Sequence, residues 1–412
     1  VGSEMCIRDS SIQLAEGGKN VSLQFIIGSS GIGKTHYACE QIIRESMENP
    51  QHLYYIIVPE QFTMQTQKNV VEMHPGKGIL NIDVLSFQRL AYRIFEETGG
   101  AREVLLDDTG KSMVLQKLVQ QHRKNLPYLG SQMNKPGYLD EVKSLISEFM
   151  QYDIREEELQ DVLGKTGEDS LLHMKMQDVG VLYQAFLQYL EGHYMTGEGV
   201  MDALKKAIPF SDKLKKSVLL LDGFTGFTPV QMNVIRELLN VCDKVLVTVT
   251  MDAGENPLQL GKPHQLFYMS RKMIHTLSGL TSNLDDPVLL KDERKGRFGN
   301  STSLDFLEKH LFRYRRSAYE KKQEEICIFA AESPVKELEE TARRIRRLVR
   351  EKNLKYGEIA VITGNLEAYK SIASQVFEES RIPYFLDEKH TILMNPFIEY
   401  IRAAPVSYTH LR

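Results

Sequence analysis

Gly28-Ser29-Ser30-Gly31-Ile32-Gly33-Lys34-Thr35 stands directly behind the apolar run Val21, Leu23, Phe25, Ile26, Ile27 and directly before a segment with apolar positions at Tyr37, Ala38, Ile42 and Met47. The order is strand, glycine-rich loop, helix. That is the context of a P-loop, in which glycines let the chain turn tightly and its backbone N–H groups ring a phosphate. Lys34 is placed to reach the β and γ phosphates and Thr35 to hold Mg²⁺ through its hydroxyl, while the following helix turns its N-terminal dipole on the anion. Gly28 to Thr35 are therefore the expected nucleotide-binding residues. The plainer alternative is a glycine-rich turn without a ligand, and the flanking strand and helix argue against it.

Outward from this loop the pattern continues to alternate. Leu53 to Val58 reads as a second buried strand, Ile82 to Leu85 as a third, and Phe87 to Glu97 as a helix, which argues a parallel α/β sheet. From Asp107 to Ile208 the periodicity turns helical, with stripes at Met113, Leu115, Leu118, Val119, then Leu139, Val142, Leu145, Ile146, Phe149, then Val179, Leu182, Tyr183, Phe186, Leu187, Leu190. Strand signals return at Ser217 to Leu221 and Val245 to Val249. The expected organisation is a P-loop NTPase domain over 21–100 and 209–265, a large helical insertion over 101–208, a connecting segment over 266–324, and part of a second α/β domain over 325–404. In that second domain, Ile326 to Ala330 and Ile359 to Thr363 are expected as strands, with a short extended piece at Tyr384 to Leu386.

A P-loop needs a carboxylate at the end of a neighbouring strand to support Mg²⁺. Val218-Leu219-Leu220-Leu221-Asp222 supplies one, although a strand-end aspartate capping a turn is the alternative. Gly223 follows it. Hydrolysing P-loop proteins commonly carry a glutamate there to activate water, and glycine has no group for that. Binding and turnover therefore separate at this position. Asp252, at the end of the next strand, is the nearest alternative acid in the pattern.

The 412-residue length predicts more than one domain, and no apolar run approaches the roughly 20 residues of a membrane span. A net charge of -4 leaves any DNA contact to a local groove. Cys6, Cys39, Cys242 and Cys327 are scattered, which fits a reducing cytoplasm and no clustered metal site. His173, His193, His264 and His275 lack metal-ligand spacing. Residues 1–20 and 405–412 are expected to be a non-native leader and tail, because Met5 to Ser10 and Pro405 to Arg412 look like translated sequencing adapter. The chain is accordingly expected to be a fragment.

Several blocks together resemble UvrD-type superfamily 1 helicases, and more closely the AddB (RexB-like) subunits of bacterial ATP-dependent helicase/deoxyribonuclease complexes. They are Leu23 to Gly28, Val58-Pro59-Glu60-Gln61-Phe62-Thr63, Val84 to Arg93, and Leu221-Asp222-Gly223-Phe224-Thr225-Gly226-Phe227-Thr228-Pro229-Val230-Gln231. The last is similar to a helicase block and keeps Asp222, Phe224 and Gln231; its catalytic acid is replaced by Gly223. Gly364 stands where such helicases carry an arginine over the γ phosphate.

The resemblance implies RecA-like domains, ATP and Mg²⁺ as ligands, an AddA-like helicase-nuclease partner, and work on single-stranded DNA and duplex ends during recombinational repair. It also implies a hydrolase complex with exonuclease activity, whose nuclease region and iron-sulfur cluster would lie in a C-terminal part that this chain lacks. Gln61, Phe62, Thr63, Ser86 and Phe87 match the DNA-contacting positions of related helicases. Core packing for Phe62 and Phe87, and helix N-caps for Thr63 and Ser86, are equal alternatives. Arg343, Arg344, Arg346, Arg347 and Arg350, like Arg313, Arg315 and Arg316, are expected on solvated faces. An active helicase, a scaffold with a vestigial P-loop and a P-loop kinase are the competing readings.

Overall fold

The computed structural model describes residues 21–100, 103–133, 135, 137–167, 170–252, 254–291, 296–313, 317–387 and 395–410, with backbone alone at 402 and 405–410. The expected leader, Arg315, Arg316 and part of the polar stretch 291–297 lie outside the described residues. The chain divides into two compact units, residues 1–320 and 321–412.

Unit 1 opens with β1 (Ser22–Gly28), α1 (Lys34–Glu48), β2 (Leu53–Ile57), α2 (Thr63–Met73), β3 (Ile82–Leu85) and α3 (Phe87–Thr98). The helical block follows as β4 (Val104–Leu106), α4 (Asp108–Gln121), α5 (Leu129–Gln132), α6 (Tyr138–Gln151), α7 (Glu156–Gly164), α8 (Leu171–Leu190), β5 (Tyr194–Thr196) and α9 (Gly199–Ala207). The chain then returns as β6 (Ser217–Leu221), α10 (Pro229–Val241), β7 (Lys244–Thr250), α11 (Tyr268–Ser278), β8 (Val288–Leu289) and α12 (Thr302–His310).

The main sheet has six strands in the order β3-β2-β6-β7-β1-β8, and its pairings are parallel. Such a sheet is covered on both faces, which is why its strands read as unbroken apolar runs. Side chains alternate between two cores. Leu23, Phe25, Ile27, Tyr55, Ile57, Leu219, Leu221, Val245 and Val247 pack on one face with α3, α9 and α10 residues such as Leu90, Leu204 and Val234. Ile26, Tyr54, Ile56, Val218, Leu220 and Leu246 pack on the other against Ala38, Ile42 and Val70.

The helical block has its own core. Leu115, Leu118, Val119, Val142, Ile146, Val179, Leu182, Tyr183, Phe186 and Leu190 meet there, as the stripes predict. Met113 and Leu187 depart from the pattern and are exposed. The boundaries also shift. Helix α9 sits in the stretch assigned to the insertion, yet Val200, Met201 and Leu204 belong to the main core. The expected connector 266–324 is built into the same unit up to residue 320, since β8 pairs with β1 and Met273, Ile274 and Leu277 of α11 are core residues.

Unit 2 contains α13 (Pro334–Lys352), α14 (Leu366–Glu379) and α15 (Pro396–His410). Leu338, Ala342 and Ile345 pack with Ala373, Val376, Phe377 and Ile382. The strands expected at 326–330 and 359–363 do not form among the described residues of this unit. A strand exists only when another pairs with it, and a local apolar pattern does not supply the partner. Helix α15 continues to His410, through most of the stretch read as a tail. Among the described residues no helix is long and apolar enough to cross a membrane.

Candidate functional site

Parallel strands in register end together. Gly28 is level with Thr250, Leu221 with Ile57, and Ile57 with Leu85. The loops that follow therefore gather at one edge of the sheet, the place where open α/β sheets bind ligands. Gathered there are Gly28 to Thr35 after β1, Pro59 to Thr63 after β2, Ser86 after β3, Asp222 and Gly223 after β6, and Asp252 after β7.

Helix α1 begins at Lys34, behind Gly33 in a left-handed conformation with φ of 98°. An L side chain is strained there, so glycine makes the turn that brings Lys34 and Thr35 into the first helical turn. The Thr35 hydroxyl lies 3.0 and 2.9 Å from the two Asp222 carboxylate oxygens. On β7, between β6 and β1, the Thr248 hydroxyl donates to Asp222 Oδ1 at 2.6 Å. Asp222 is buried, so these two hydroxyls supply the hydrogen bonds its desolvated carboxylate requires. Sequence reasoning misses Thr248; a hydroxyl inside the otherwise apolar run of β7 is the available signal. Lys34 Nζ donates to the Ser29 carbonyl at 2.9 Å. Burial pushes its pKa down, against the opposing pull of Asp222 and Glu308. Burial and the nearby Asp222 push the Cys39 thiol up to about 12.

The donor set fits a magnesium nucleotide: a hydroxyl and a carboxylate converge at the head of a loop that presents backbone N–H groups and a lysine. Among the described residues, no group of three or more His, Cys, Asp or Glu is arranged to hold a metal by itself.

Gly223 has φ of 79°, and nothing closer than Pro59 Cδ, at 3.6 Å, would meet a Cβ there. The space is open but the backbone is left-handed, which disfavours a glutamate. Asp252 is held by Arg313 in a two-pronged pair at 3.1 and 2.9 Å, and the guanidinium lies 4.9 Å from the Phe267 ring centroid. That corrects the expectation of a solvated Arg313 and commits Asp252 to an ion pair. Gly364 is exposed and N-terminal to Asn365, whose side chain caps α14.

The expected DNA-contacting residues separate by exposure. Gln61 and Phe62 are on the surface, with Phe62 50% exposed. Thr63 is buried and donates to the Glu60 carbonyl, while the Ser86 hydroxyl caps α3 by accepting from Arg89 N–H. Phe87 is buried edge-on against Phe224 and Phe227, at 5.6 and 6.3 Å between centroids. This aromatic cluster ties the loop after β6 to the start of α3. Gln231 closes a reciprocal capping box with Thr228 at the start of α10. In α13, Arg343 and Arg344 both pair with Glu340.

The family profile described as "ADDB, N-terminal" matches residues 25–308, more than half of the chain. The chain belongs to the AddB family. A relative from Lachnoclostridium phytofermentans, named as the B subunit of an ATP-dependent helicase/deoxyribonuclease, is 42% identical over 398 residues, covering 95% of this chain and 34% of that protein. Proteins of the same name from Clostridium novyi and Clostridium acetobutylicum are 31% and 33% identical, over 92% and 93% of this chain and 34% and 33% of their own lengths. The chain thus spans about a third of the curated relatives it matches. Their shared name makes those relatives parts of an assembly with another subunit.

Proposed function

We propose that this chain is the nucleotide-binding part of an AddB subunit, RecA-like in unit 1, that binds ATP with Mg²⁺ and turns it over weakly or not at all by itself. The observation that carries this reading is the meeting of Thr35 and Asp222 at 2.9 Å beside the P-loop, with Gly223 next in line. The P-loop amides and Lys34 would hold the phosphates, and Thr35 and Asp222 would hold the metal. Magnesium, when bound, neutralises phosphate charge. Thr248 keeps the Asp222 carboxylate turned toward Thr35. The sequence supplies no acid at Gly223 to take a proton from water, and Asp252 is occupied by Arg313.

The wider role proposed is that of a cytoplasmic subunit that pairs with an AddA-like helicase-nuclease, contacts single-stranded DNA and duplex ends, and acts in the processing of double-strand breaks for recombination. The family membership supports it. Within it Gln61 and Phe62 are the surface groups available to a DNA strand, whereas Thr63, Ser86 and Phe87 would act by shaping the loops that carry them. Nuclease chemistry and an iron-sulfur cluster would belong to the longer protein. Phosphate release from ATP by the purified chain, compared with Lys34→Ala, tests the turnover claim. A rate at or only slightly above the Lys34→Ala background is expected; a sustained rate far above that background and abolished by Lys34→Ala overturns it.

A further inference from the structure

The phosphate cradle already holds an anion of the protein's own. Ser30 N–H donates to Glu308 Oε1 at 3.3 Å, across 278 residues of sequence, and Glu308 is close enough to Lys34 to act on its charge. This contact is built in from both sides. Upstream, Leu290 N–H donates to the Ile27 carbonyl at 2.8 Å, and Arg297 N–H donates to the Gly31 carbonyl at 2.8 Å. The Phe298 ring lies against Gly31, close enough to obstruct a side chain there. Between these anchors and Glu308, Ser301 caps α12 and sets the helix start. Downstream, Arg313 fastens the end of this segment to Asp252, just past β7. The segment from 296 to 313 therefore crosses the P-loop and delivers a carboxylate to one of its backbone donors.

We propose that Glu308 is an internal anion that shares the phosphate cradle and sets its affinity for nucleotide. The proposal rests on the nucleotide-binding reading given above. A phosphate oxygen and the Glu308 carboxylate cannot both accept the same Ser30 N–H, and both are negative. A nucleotide must therefore displace Glu308 from Ser30 and compete with it for Lys34. The glutamate discriminates by charge: the more negative the phosphate chain, the larger its opposition. Its effect is to keep the site weak until nucleotide is abundant or α12 is drawn aside.

The test is equilibrium binding of a fluorescent ATP analogue with Mg²⁺ to the full chain, comparing wild type with Glu308→Gln, Glu308→Lys and Lys34→Ala at low and high salt. Glu308→Gln removes the charge and keeps the shape. It is expected to bind about tenfold more tightly at low salt, a change of about 1.4 kcal/mol. Glu308→Lys should bind more tightly still, and high salt should shrink both gains. Glu308 is only half-buried, so both variants are expected to fold, and circular dichroism verifies this. Wild-type binding that is lost in Lys34→Ala but unchanged or weakened in both Glu308 variants overturns the Glu308 proposal and leaves the nucleotide site standing. Absence of binding in every variant overturns both. Binding that is detected only in the Glu308 variants supports both.

Discussion

Replacing Gly223 with alanine should lower stability, where glycine-to-alanine changes in compatible backbone raise it. The difference lies in φ, which is 79° at this position. A left-handed L residue costs about 1–2 kcal/mol. The reduced freedom of the unfolded chain returns about 0.4–1 kcal/mol. The space around Gly223 is open, with Pro59 Cδ at 3.6 Å from a built Cβ, so no steric cost is added. The net is a loss centred at about 0.8 kcal/mol and reaching about 1.6 kcal/mol, which a urea midpoint resolves and which at its centre lowers the melting temperature by roughly 1–3 °C. Gly223→Glu carries the same backbone cost and places a carboxyl where related helicases have their catalytic acid. ATP turnover by that variant should remain at the Lys34→Ala background, because the loop is shaped around glycine. An alanine variant as stable as wild type would refute the backbone argument. A glutamate variant that gains Lys34-dependent turnover would show that the loop accepts an acid after all.

Thr248→Val removes a hydrogen bond from a buried carboxylate; it should cost about 1–3 kcal/mol in urea unfolding and weaken Mg²⁺-dependent nucleotide binding. Phe87→Ala should cost about 3–5 kcal/mol, because the ring is buried against Phe224 and Phe227. The exposed Phe62→Ala should stay within about 0.5 kcal/mol in stability while weakening single-stranded DNA binding, read by fluorescence anisotropy. Burial holds the Lys34 pKa below its ordinary 10.5, so the folded chain gives up this proton before the unfolded chain does. The cost of the buried charge is therefore fully present below the folded pKa and is relieved as pH rises toward 10.5. Nucleotide affinity runs the opposite way, falling as pH rises through the lowered pKa, and Lys34→Arg should retain more of its affinity at alkaline pH.

What can be read from sequence follows from how local each signal is. The proposed P-loop is legible because its glycines, Lys34 and Thr35 are contiguous and flanked by one strand and one helix. Asp222 can be placed beside Thr35 because a short apolar run in a parallel sheet ends at the same edge as β1. The helical stripes fall into one core for a similar reason, with Met113 and Leu187 as the exceptions. The contacts that are not legible join distant parts of the chain: Thr248 to Asp222, Arg313 to Asp252, and Glu308 to Ser30. Gln231 shows a different limit. Its place in a helicase-like block is visible in sequence, but its capping of α10 depends on backbone geometry that the block does not encode. In unit 2 the apolar patterns of 326–330 and 359–363 are visible, and the pairing that makes a strand is not.

The cradle of Gly28 to Thr35 is proposed to bind magnesium nucleotide. Titration calorimetry of ATP into the purified chain tests it most directly, with and without Mg²⁺, beside Lys34→Ala. One saturable, Mg²⁺-dependent site per chain that disappears in the variant is the expected result. Heat that never saturates, or binding that is the same in Lys34→Ala, would contradict it.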